Sequence, residues 1–206
     1  MRAPVTLATG EFEDLVALGL EGLISGQDNL RLVARGVSWE DIGPALAEHD
    51  PAVLILNFGS LPSLAALREL LLEHEATRVV VLANRPSATE CNQMLSFGVS
   101  ACISKETQGR DVVNAVHLAS RGMHVVPRQS ERADSDFGDF AGPELLTARE
   151  ADVLELLQDG RTNAQIAQEL SIGLETVRTH ARHIYGKLGV SSRRELATLS
   201  SARAVR

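Results

Sequence analysis

Apolar residues along the first 126 positions fall into two alternating patterns. Short continuous runs stand at Val5–Ala8, Leu30–Ala34, Val53–Leu56, Val79–Ala83 and Ala101–Ser104. Longer segments between them carry apolar residues at helical spacing, at about Glu13–Ser25, Trp39–Glu48, Leu64–Glu73, Ser87–Phe97 and Arg110–Arg121. Continuous apolar runs suit strands covered on both faces, and each is followed by a helix. The pattern predicts an α/β, doubly wound, five-stranded parallel sheet over residues 1–126. Sites in such a sheet gather at the carboxyl ends of the strands, where strand order reverses.

The pattern then changes twice. Val125–Pro143 is polar, mixed in charge and rich in Gly and Pro, which predicts a linker over 127–143. Phe137 and Phe140 are unusual in a free linker, so part of it is expected to pack. From residue 144 to 206 the spacing is helical throughout, predicting a small all-α domain of four helices. In the first, Thr147 stands three residues before Glu150 as a capping box, Val153, Leu154 and Leu157 line one face, and Gly160 marks the stop. In the second, capped by Thr162, the residues Ala164, Ile166, Ala167 and Leu170 share a face. Ser171, Ile172 and Gly173 break it. In the third, Val177, Ala181, Ile184 and Leu188 recur at steps of four, three and four, which is one buried stripe. Ser191 or Ser192 caps the last, with Leu196 and Leu199 as a short apolar stripe that suits pairing with a second copy.

The polar face of the third helix carries the chemistry. Glu175, Arg178, Thr179 and Arg182 fall at the spacing that stacks side chains above one another. Arginine can donate two parallel bonds to guanine O6 and N7, and a threonine methyl can touch the thymine methyl. The alternative, arginines that merely solvate a surface helix, is the commoner fate of charged residues. Against it stands the short helix and tight turn before this one, the unit that braces a recognition helix on DNA.

A net charge of −7 looks wrong for a nucleic-acid binder until it is divided. Residues 141–206 hold nine Lys/Arg against eight Asp/Glu, or +1, which leaves −8 for residues 1–140. From Thr176 to Arg206 there are seven basic residues and one acid, so the local charge is +6. Local potential, acting over ~8–10 Å, steers a protein to phosphate. No apolar run is long enough to span a membrane and no signal peptide is indicated, so a cytoplasmic protein is expected. Cys91 and Cys102 lack metal-ligand spacing and read as reduced, buried thiols. No cofactor or metal is expected.

The stretch LTAREADVLELLQDGRTNAQIAQELSIGLETVRTHARHIYGKLGVSSRREL closely resembles the LuxR-type helix-turn-helix, LTxRExxVLxLxxxGxxNxxIAxxLxISxxTVxxHxxxIxxKLGVxSRxE. The resemblance implies a homodimer binding double-stranded DNA on an inverted-repeat operator. It implies that Arg178, Thr179 and Arg182 face bases, and that Asn163, Thr176, Lys187 and Arg193 lie near phosphates or support the fold. The chain departs from the pattern at Gly173, where the family has a capping serine, at a cost of a few tenths of a kcal/mol. Glu175 also sits where DNA would lie, either accepting from cytosine N4 or repelling phosphate.

The first half resembles the receiver domains of NarL/FixJ-type response regulators, through LVALGLEGLI, VLILNFG, RVVVLAN and GVSACISKE. A working receiver needs an aspartate at the end of the third strand, an acidic pair after the first, a hydroxyl after the fourth and a lysine after the fifth. Here the aspartate is Asn57, and the hydroxyl position is Ala83. The acidic pair falls at Ala8 and Thr9 or, with a shifted gap, near Glu11 and Phe12, and an aromatic switch position is Cys102. Lys105 alone remains. An amide lacks the anion that attacks phosphorus, and without paired carboxylates a hard divalent ion has little to bind. Lys105 is expected either to pair with Asn57 or a backbone carbonyl, or to hold an anionic ligand. These features together predict a degenerate receiver controlled by dimerisation, a protein partner or a small molecule.

Two rival readings remain open. In one, the helix-turn-helix contacts RNA polymerase or another protein instead of operator DNA. In the other, the α/β half is an enzyme, but it lacks a GxxxxGK[ST] loop, a GxGxxG turn and a GxSxG elbow. His49, His74, His117 and His124 are scattered. His180 and His183 share a helix without a third ligand, so packing or phosphate contact suits them better.

Overall fold

The computed structural model describes residues 3–125 and 146–196, which form two units. The predicted linker at 127–143, with Phe137 and Phe140, lies outside the described residues, as does Leu199. In the first unit, β1 (Val5–Gly10), β2 (Leu30–Val37), β3 (Val53–Asn57), β4 (Arg78–Ala83) and β5 (Ala101–Ser104) make one parallel sheet in the order β2-β1-β3-β4-β5. Helices α1 (Asp14–Ser25), α2 (Trp39–His49), α3 (Leu64–Glu73), α4 (Ala88–Ser96) and α5 (Gly109–Ala119) alternate with the strands.

Strand alternation explains why the runs are apolar throughout. Val53, Ile55, Val80, Leu82, Ala101 and Ile103 join Leu20 and Ile24 of α1 and Val112, Ala115, Val116 and Ala119 of α5 in one core cluster. Their neighbours Leu54, Leu56, Val79, Val81 and Cys102 turn to the opposite face and are buried there. At Gly109 a Cβ would come within 2.4 Å of the Leu23 side chain, so a larger residue at the start of α5 would require that leucine of α1 to shift. β1 and β2 run two and three residues beyond their apolar runs, since the ladder continues through register shifts to Gly10 and Val37. This order reverses between β1 and β3, so the crevice beyond their carboxyl ends lies beside Gly10 and Asn57.

The second unit contains α6 (Ala148–Gln158), α7 (Asn163–Glu169) and α8 (Leu174–Leu188), with a further helix beginning at 193–196. Thr147 and Glu150 form the capping box of α6, and Thr162 and Gln165 form one for α7. Gly160, at φ +82°, and Gly189, at φ +63°, end α6 and α8 in the left-handed conformation that a side chain disfavours. Ser192, not Ser191, caps the last helix, accepting from the Glu195 amide at 3.3 Å. Val177, Ala181, Ile184 and Leu188 are buried as one stripe against Val153, Leu154 and Leu157 of α6 and Ile166 of α7. Fully buried residues such as Ile166 and Ile184 contribute about 1.5–3 kcal/mol each. The expected inner face of α7 is narrower than its spacing suggests, because Ala164 is exposed and only Ile166 is fully covered.

Candidate functional site

Two sets of polar residues stand out, one in each unit. At the crevice of the first, Asn57 ends β3 and is buried, and its side chain is spent locally. Its Oδ1 accepts from the Gly59 amide at 3.1 Å, and its Nδ2 donates to Ser60 Oγ at 3.0 Å. Ser60 Oγ donates in turn to the Glu11 carbonyl at 3.3 Å, which closes β3 onto the end of β1. Gly10, Glu11, Val37, Trp39, Ile42, Leu56 and Leu61 complete the lining, and the cavity they leave is about 10 Å³. That is roughly the space of one water molecule.

Ala8 and Thr9 are corrected out of this pocket. Both are buried inside β1, and Thr9 Oγ1 accepts from the Gly36 amide at 3.2 Å. The residues that follow the strand are Glu11 and Phe12, the shifted alternative, and then Glu13. Of the two roles expected for Lys105, the pairing with Asn57 or a backbone carbonyl is corrected. Its Nζ donates to both Glu13 carboxylate oxygens, at 2.6 and 2.7 Å, with the Phe12 ring centroid 5.9 Å away. The bond from Lys105 holds the Glu13 carboxyl below the usual glutamate range. Ala83 ends β4, where its carbonyl accepts from the Lys105 amide at 2.8 Å. Glu13 and Ser60 were not legible as site residues, because strand placement brings Glu13 to Lys105 and Ser60 to the Glu11 carbonyl. Among the described residues, no three His, Cys, Asp or Glu side chains converge to hold a metal ion. Cys91 and Cys102 are both buried and free, with Cys91 Sγ 3.5 Å from the Cys102 carbonyl.

In the second unit α8 divides its charged residues by face. Glu175, Thr176, Arg178, Thr179 and Arg182 are all exposed, opposite the apolar stripe. Arg178 Nη1 donates to Glu175 Oε1, and Thr179 Oγ1 donates to the Glu175 carbonyl at 3.0 Å. The threonine hydroxyl hydrogen is thus committed to its own helix. Gly173 caps α8 without a side-chain bond, and the helix still runs its full fifteen residues.

Of the two roles left open for Lys187 and Arg193, phosphate contact or support of the fold, both side chains are engaged within the protein. Lys187 lies on the inner side and donates to Glu150 Oε2 at 2.8 Å, with side chains 12% and 4% exposed. Burial by itself would raise the Glu150 carboxyl. The Lys187 bond and the Thr147 amide outweigh it and hold the group below its ordinary value. Arg193 donates to the Leu157 carbonyl at 3.1 Å, tying the last helix to the end of α6. Both residues support the fold, and for Lys187 the spacing from Arg178 gave a hint: nine residues turn a helix through half a revolution beyond two turns. Asn163 is half-buried at the first position of α7. Arg149, missed from the sequence, donates to the Leu170 carbonyl at 2.6 Å and so holds the turn that leads into α8.

Residues 144–200 match the GerE model, described as bacterial regulatory proteins, luxR family. Along nearly its whole length the chain is similar to the transcriptional regulatory protein DesR of Bacillus subtilis, 28% identical over 95% of this chain and 96% of that one. It is 26% identical to the response regulator protein VraR of Staphylococcus aureus, over 87% of this chain and 88% of VraR. By fold it resembles the response regulator RcsB of Salmonella typhimurium, with a TM-score of 0.57, 16% identity and coverage of 98% and 100%. The receiver domain of the putative response regulator NarL from Mycobacterium tuberculosis matches with a TM-score of 0.53, 19% identity and coverage of 59% and 99%.

Proposed function

With a LuxR-type helix-turn-helix domain at residues 144–200, in a chain whose homologues are response regulators, we propose that the protein is a sequence-specific DNA-binding transcription regulator whose receiver-like half takes no phosphoryl group. The observation that carries the DNA reading is the exposed face of α8. Arg178, Thr179 and Arg182 stand clear of the protein while Val177, Ala181 and Ile184 anchor the helix from behind. A helix held this way can enter the major groove and offer guanidinium forks to guanine. RcsB, a relative by fold, has been captured as two dimers bound to two parallel DNAs. A homodimer on an inverted-repeat operator follows by analogy. Its partner surface in the first unit is supported by Leu15 and Leu18 of α1, 83% and 67% exposed and next to one another on one face.

Control without phosphorylation is the finer part of the proposal. Asn57 has no carboxylate to attack phosphorus, and Lys105, the cation such a phosphoryl group would need, is already neutralised by Glu13. The cavity beside Asn57, Gly10 and Trp39 is about 10 Å³, the space of a water and far below that of a small-molecule site. This favours association between copies as the controlling event. Two measurements test the reading. Genomic fragments retained by the protein should share an inverted repeat, with binding that weakens steeply as salt rises. Intact mass should stay unchanged after incubation with Mg²⁺ and a small acyl phosphate, and phosphate on the chain would sink the second claim.

A further inference from the structure

Glu175 is the single acid on α8, and it stands on the face that carries Arg178 and Arg182. A carboxylate there lowers affinity for phosphate, so its presence asks for a reason. Stability supplies only a small one: an acid in the first turn of a helix whose Gly173 cap makes no side-chain bond stabilises it modestly through the helix dipole, and the ion pair of a side chain 79% exposed adds little. What it does in the free protein is hold Arg178, whose Nη1 donates to Glu175 Oε1.

We propose that Glu175 reads a base, acting with Arg178 as one unit: Arg178 donates to guanine O6 and N7 while Glu175 accepts N4–H from a cytosine in the neighbouring base pair. The inference rests on α8 being the helix that enters the major groove. A carboxylate offers about four acceptor sites and Arg178 fills one, while a guanidinium with five donors keeps enough for a bidentate contact after giving one to Glu175. Thr179, one turn on from Glu175 on the same face, donates to the Glu175 backbone carbonyl, so its hydrogen is not free for the carboxylate. Once water leaves the groove, the remaining acceptors of Glu175 must find donors or lose their solvation. Cytosine N4 and adenine N6 are the donors the major groove presents, and cytosine N4 is the group a carboxylate matches, whereas guanine and thymine offer it acceptors or a methyl. Three residues rise about 4.5 Å along the helix, close to the ~3.4 Å between successive base pairs. The two side chains therefore address adjacent positions and not one.

The test is selection from a random duplex pool with the full chain and with Glu175→Gln and Glu175→Ala. The wild type is expected to select guanine next to a position that demands cytosine. Glu175→Gln, with the same shape and no charge, keeps the guanine and shifts its neighbour toward adenine, losing about tenfold discrimination for cytosine. Glu175→Ala keeps the guanine and leaves the neighbour unselected. If both variants select the wild-type sequence, with affinity raised by one factor on selected and random DNA alike, Glu175 is only a repelling charge and the inference fails. A wild-type chain that selects no sequence at all would instead overturn the DNA-binding reading beneath it.

Discussion

The molecule contains two lysine–glutamate pairs of nearly the same length, and burial makes them different objects. Lys105 and Glu13 meet at 2.6 Å beside the receiver-like crevice, with the lysine 9% exposed and the glutamate 58%. Lys187 and Glu150 meet at 2.8 Å inside the helical unit, 12% and 4% exposed. If the first pair is broken, water takes up the freed carboxylate. If the second is broken, one charge is left where water hardly reaches. The first pair therefore occupies a site and the second holds a fold together. A short distance alone would have ranked them the other way.

The largest expected effect tests that difference directly. Lys187→Met removes the lysine from a carboxylate that keeps the Thr147 amide and has His183 Nδ1 3.6 Å away, and should destabilise the helical unit by about 3 kcal/mol. Hydrogen exchange at α8 would report the loss. A double replacement, Glu150→Leu with Lys187→Met, should recover much of it, because an apolar pair carries no desolvation penalty, although the Thr147 capping box is lost as well. If Lys187→Met left stability unchanged but weakened binding to all DNA alike, Lys187 would be a phosphate contact after all.

Next in size is Arg178→Ala, expected to cost about 1–3 kcal/mol on a selected operator and to relax one base position. Its stability should barely move, since Arg178 faces solvent; a fluorescence-anisotropy titration beside a melting curve separates the two. Smaller still is Lys105→Met, which should cost less than about 1 kcal/mol because Glu13 is already largely hydrated. Trp39, the single tryptophan, lines the crevice and provides the readout.

Acid sharpens the comparison with the smallest signal. Glu13 and Glu150 are both held below their ordinary values. A depressed carboxyl contributes stability that is present above its unfolded pKa, ~4.3, and lost as pH falls through the lower folded value. Both units should therefore weaken below about pH 4. The dependence traceable to Glu150 should vanish in the double replacement, and an unchanged acid limb there would show that other carboxylates dominate.

Much of this was legible in the linear chain because the relevant forces act locally. Helical and strand periods, the capping boxes at Thr147 and Thr162, the stop at Gly160 and the buried stripe of α8 each depend on residues within a turn or two of one another. Asn57 at the end of β3 and the arginines opposite that stripe follow from the same periods. The pairings do not. Glu13 finds Lys105 across 92 positions, and Glu150 finds Lys187 across 37. An ion pair is a matter of a few ångströms in space, and strand order and helix packing alone bring such distant residues within reach. For that reason sequence assigned the charged face that looks outward, while only the fold decided which lysines were already taken.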